Sequence, residues 1–133
     1  MNNDLIDKLQ EEVKKMKFQL KEIGNTIDDE EYPIASLVIS YNWGADDLSP
    51  AHDIFEKYSN LLDEGKSWSH YKLEEDFRNQ FDDKIGYQEV KHIVLAFWRN
   101  HQWNSVCIHF VKSHGDCPPC EFSEIVEYIR DNK

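Results

Sequence analysis

The chain has 133 residues, 40% hydrophobic and 13% aromatic, with a formal net charge of −11. That length and apolar content suit one folded domain, residues 1–133, and exclude a disordered chain, while the longest apolar runs fall far short of a bilayer span. Between Asp28 and Asp83 stand 15 acidic and four basic residues, so the whole net charge lies in this segment and the flanks balance. An acidic balance of this kind repels phosphate backbones and attracts basic proteins, which leaves no nucleic acid and no membrane among the expected partners.

In chain order, Leu5, Leu9, Val13, Met16, Leu20 and Ile23 recur at spacings of three and four, an amphipathic helix stopped by Gly24-Asn25. Its stripe runs barely three heptads. Packing onto the protein's own core, and a monomer in preference to a homodimer, are therefore expected. Pro33 opens a second segment in which Ile34, Leu37, Val38 and Tyr41 keep helical spacing. Ala45 to Leu48 reads as an acidic connection, and Ser49-Pro50 as the start of a third helix carrying Ile54, Phe55, Tyr58, Leu61 and Leu62 to Gly65. The spacing predicts a fourth helix over 68–81, with Leu73, Phe77 and Phe81 on one face.

The central element is Tyr87 to Asn100, where Val90, Ile93, Val94, Phe97 and Trp98 form one stripe and Leu95 and Ala96 widen it. Residues 104–115 fit either a helix or a strand, and the last helix starts near Pro119. The expected fold is all-α, a compact bundle of about six helices; the alternative is α+β with a small strand pair from 35–41 and 106–111.

Candidate chemistry is thin. Cys117-Pro118-Pro119-Cys120 has redox spacing, but too little chain follows it for the fold such chemistry needs. Cys107, His114, Cys117 and Cys120 spell C-x6-H-x2-C-x2-C, a donor set of the kind structural zinc takes, yet a lone cysteine on a buried face is more often a small hydrophobe. No cofactor is expected, and six scattered histidines match no catalytic pattern, so an enzyme is not expected. Three cysteines and an N-terminus without an apolar export core point to the cytoplasm. The residues chosen for partner binding are Trp43, Asp46, Asp47, Asp63, Glu64, Trp68, Asp82 and Asp83, acids flanking connections with two tryptophans as anchors.

A helix ending in Tyr41-Asn42-Trp43-Gly44, followed by acids and a capped helix, resembles helical immunity proteins of bacterial toxin systems. The type includes contact-dependent inhibition and colicin-like pairs. The resemblance covers about a quarter of the chain and is one of type, so it transfers no contact residue. It implies a tight complex with one cognate toxin, often a basic nuclease, in which the acids stand in for phosphates. A zinc-stabilised regulatory module is the alternative, and a homodimeric helical scaffold the third reading.

Overall fold

A computed structural model describes residues 2–132. It consists of α1 (Asn2–Gly24), α2 (Pro33–Ser40), α3 (Ala45–Asp63), α4 (His70–Gln80), α5 (Tyr87–Arg99), α6 (Asn104–Lys112), a 3-10 turn (Cys120–Phe122) and α7 (Ser123–Asp131). Among the described residues there is no strand, and no helix is long and apolar enough to cross a membrane. The strand pair weighed for 35–41 and 106–111 is absent, because both runs close helical ladders. In α6, Val106, Cys107, Phe110 and Val111 are buried while Ile108 and His109 are only half-buried, a 3.6-residue period and not an alternation.

The bundle forms around α5. Val90, Ile93, Val94 and Phe97 are fully enclosed, with α2, α4 and α6 packed about this helix. Trp98, expected in the core, is half-buried at the rim, edge-on to Tyr128 of α7 at 5.1 Å. α3 completes the core from the far side through Phe55, which meets Phe97 at 4.7 Å and Phe77 at 5.8 Å, both edge to face.

The helix ends explain the connections. α3 begins at Ala45, four residues before the expected Ser49. Gly44 is extended there (φ −98°, ψ −178°), and its N–H donates to Asp47 Oδ2 at 2.8 Å. With Asp46 and Asp47 at the positive end of the helix dipole, the acidic connection becomes the first turn. Pro50 then lies within the helix, where it forgoes the bond its amide would donate to the Asp46 carbonyl. Four helices close on a left-handed residue, Asn42, Gly65, Asp82 and His101, each followed by an N–H that reaches back five residues to a carbonyl of the last turn.

One expectation fails outright. The stripe of α1 does not pack onto the core: every residue from Asn3 to Ile23 is exposed, and the helix meets the bundle chiefly through α2. Gly24 marks the junction, since a Cβ there would run into the Ile39 side chain. Among the described residues, none of α1 joins the core, which α5 and its neighbours already fill.

Candidate interaction face

α3 and α4 form an antiparallel hairpin. Lys57 Nζ and the Tyr58 hydroxyl both reach Asp76 Oδ2, at 3.0 and 2.6 Å, and Pro50 shares a shallow groove with Asn79 and Gln80. This pairing sets the start of α3 level with the end of α4. Trp43, just before α3, stacks flat on Phe81, just after α4, with centroids 5.3 Å apart and planes 3° apart. Asp46 and Asp47 follow Trp43 in the first turn of α3, and Asp82 and Asp83 follow Phe81 directly.

The four acids are not equivalent. Asp46 is exposed and has no salt-bridge partner within 4 Å among the described residues, whereas half-buried Asp47 is occupied by the Gly44 N–H. Asp82 and Asp83 are consecutive left-handed residues (φ 53° and 62°), a conformation aspartate tolerates better than most side chains. Asp83 lies 3.5 Å from Arg78, whose guanidinium also donates to the Tyr87 hydroxyl at 3.0 Å. Both aspartates are exposed and follow a closed helix end.

Asp63 and Glu64 lie at the other end of α3, about 28 Å away at 1.5 Å per residue. Glu64 pairs there with Lys66 at 3.1 Å. The residues chosen from the sequence thus fall into two groups, and only Trp43, Asp46, Asp47, Asp82 and Asp83 share an end of the hairpin. Trp68 needs a correction. It is 8% exposed, packed between Tyr58 at 4.8 Å and His109 at 4.3 Å, and offers no surface to a partner. Its carbonyl accepts from His109 Nε2 at 2.7 Å, which ties the 64–69 connection to α6, while its own indole N–H is buried without an acceptor.

No family model, curated protein or solved structure matches this chain.

The zinc set does not assemble. Cys107 is buried with its thiol directed at the Val94 carbonyl at 3.5 Å, and burial pushes its pKa far up, so it is held as the neutral thiol. Cys117 and Cys120 are exposed, and none of the three thiols joins His114. His114 instead meets His70 and Glu74, with donor atoms of all three within 4.8 Å of one another. Glu74, 3% exposed, bonds His70 Nδ1 at 2.7 Å, and His114 Nδ1 lies 2.9 Å from the Phe110 carbonyl. The two imidazoles lie face to face, centroids 3.7 Å apart and planes 11° apart. Their in-plane lone pairs therefore run side by side instead of converging on one ion, and the trio reads as a polar clamp between α4 and the turn that follows α6. Sequence reasoning had only the i, i+4 spacing of His70 and Glu74 with which to find it.

A cleft of about 390 Å³ between α2 and α5 is floored by Pro33, Leu37, Leu95 and Ala96. On its polar side the Tyr41 hydroxyl lies 2.6 Å from His92 Nδ1. Burial, with a contribution from Glu89, pushes the Tyr41 pKa up to about 12, so the phenol keeps its proton within this hydrogen bond. Arg99 beside it is engaged by Glu124 at 2.8 Å and Asp29 at 3.6 Å. The groups around this cleft are mutually satisfied, an arrangement suited to holding helices together.

Proposed function

We propose that this protein is an immunity protein, not an enzyme, which binds and neutralises a cognate toxin, a basic nuclease domain, in the bacterial cytoplasm. The observation that carries the reading is the Trp43–Phe81 plate at one end of the α3–α4 hairpin, with Asp46, Asp47, Asp82 and Asp83 next to its two rings along the chain. An aromatic anchor rimmed by carboxylates is the pattern of a protein-binding hot spot directed at a cationic surface. The exposed acids steer the encounter, and the half-buried indole supplies the apolar contact that slows dissociation. Asp63 and Glu64, at the far end of α3, serve the general field and not the contact.

The test mixes the purified protein with the product of the gene preceding its own and follows both complex formation and nuclease activity. Asp46→Asn/Asp47→Asn and Asp82→Asn/Asp83→Asn remove charge while keeping a cap acceptor and a side chain that tolerates the left-handed region. Each double variant should slow association and flatten its salt dependence, and Trp43→Ala should raise the off-rate. A complex indifferent to all three variants would remove this face from the reading; absence of a complex and of nuclease inhibition would remove the immunity role itself.

A further inference from the structure

The exposed side of α1 is more regular than a solvated helix requires. Ile6, Leu9, Val13, Met16, Leu20 and Ile23 follow one another at intervals of 3, 4, 3, 4 and 3, the a/d seam of a two-stranded coiled coil. Each lies between 44% (Val13) and 59% (Ile23) exposed. A lone helix of this length and mixed composition is marginal in water, because helices in proteins draw most of their stability from a packed apolar face. We infer that α1 is a self-association arm that pairs antiparallel with α1 of a second copy of this chain.

Three features choose the occupant and its direction. When the two seams run antiparallel, Ile6 faces Ile23, Leu9 faces Leu20 and Val13 faces Met16 of the second copy, so every layer joins an a to a d residue without overhang. The arm's two halves also carry opposite charge. Asp4 to Glu12 holds four acids and one lysine, and Lys14 to Glu22 holds four lysines and one acid. Antiparallel pairing sets −3 against +3 at both ends, while parallel pairing sets like against like. Third, α1 itself is close to neutral, and the net charge of −11 resides in the bundles. A parallel pair would bring two such bundles together at one end. An antiparallel pair separates them along about 34 Å of helix, several times the roughly 8 Å screening length of physiological salt. A parallel pair would gain two Glu12–Lys17 flank contacts, worth at most about 0.5 kcal/mol each at the surface, too little to offset that repulsion.

The area is sufficient. Covering the exposed half of six large aliphatic side chains buries on the order of 100 Å² apiece, or about 1,200 Å² over both chains, within the range of specific interfaces. This surface lies on a different element from the Trp43 plate, so neither proposal depends on the other.

Sedimentation equilibrium of the full chain should give twice the monomer mass at tens of micromolar protein. Val13→Glu/Met16→Glu places carboxylates in the central layer and should weaken the dimer more than about a hundredfold. Because α1 stands outside the bundle, the variant should keep the wild-type near-ultraviolet circular dichroism. Direction is read in a Cys117→Ser/Cys120→Ser background. Leu9→Cys chains mixed with Leu20→Cys chains should cross-link to each other, and Leu9→Cys chains alone should not, since the two positions would lie about 16 Å apart. A monomeric wild type, a dimer untouched by the double variant, or cross-linking of Leu9→Cys to itself would each overturn the inference.

Discussion

Replacing Phe97 by alanine tests the architecture at its centre. The ring is fully enclosed, with the Phe55 ring at 4.7 Å, edge to face, and the His52 ring at 4.8 Å. Losing its burial costs about 1.5 to 3 kcal/mol. Losing the aromatic geometry adds about 0.5 to 1.5 kcal/mol, and the unfilled cavity contributes the rest of a total near 3 to 5 kcal/mol. For a domain of this size that lowers the melting temperature by about 10 °C or more. The assay is urea unfolding at one fixed protein concentration, because self-association adds a concentration-dependent term to apparent stability. Trp98→Ala is the matched control. It removes a larger ring from the next position, but a half-buried one, and should cost only about 1 to 2 kcal/mol. A loss below about 1 kcal/mol for Phe97→Ala, or an equal loss for both variants, would refute the placement of the core stripe.

At the start of α3, Asp47→Ala should cost about 1 kcal/mol and Asp46→Ala less than about 0.5 kcal/mol in the same assay, since only Asp47 accepts the Gly44 N–H. Gly24→Ala should cost about 1 to 3 kcal/mol, because its methyl group would press on the stiff branched carbon of Ile39 where α1 meets α2. Gly65→Ala, at φ 77°, should cost about 1 kcal/mol with nothing nearby to clash, a purely backbone effect seen as a lower urea midpoint. His114 gives a pH signature. Burial holds its pKa below the ordinary 6.5, so the unfolded chain binds the proton more readily than the folded one. The stability this contributes is present above pH 6.5, falls as the pH drops below it, and stops falling beneath the depressed value. His114→Gln should flatten that part of the stability profile, and an unchanged slope would reassign it to another group.

Helical periodicity made most of the fold legible, and the reason shows in α5. Val90, Ile93, Val94 and Phe97 repeat a spacing that only a helix turns to one side, and the structure buries all four. The same spacing in α1 gave the helix but not its surroundings. Periodicity marks which face is apolar, and whether the fold leaves room to cover it depends on how α5 is already surrounded. The start of α3 was misplaced because Ser49-Pro50 is a strong local signal, whereas Gly44 with a carboxylate three residues on is a weaker one that operates here. Trp68 was chosen as an anchor because it stands beside the acidic connection at Asp63-Glu64; its burial depends on His109, 41 residues away. The His70–Glu74–His114 trio was beyond reach for the same reason, since its third member comes from the turn after α6. The grouping of Asp46 and Asp47 with Asp82 and Asp83 follows from the antiparallel hairpin, whose direction the short 64–69 connection did imply.

The differing surroundings of Trp43 and Trp68 make them unequal light emitters. Trp68, enclosed between Tyr58 and His109, should fluoresce at short wavelength and report only on unfolding. Trp43 lies against Phe81 with part of its indole in water, so its emission should lie further to the red and shift to the blue when anything dry settles on the hairpin end. Recorded in a Trp68→Phe/Trp98→Phe/Trp103→Phe background, where Trp43 is the sole indole, that shift would let docking be titrated without attaching a dye.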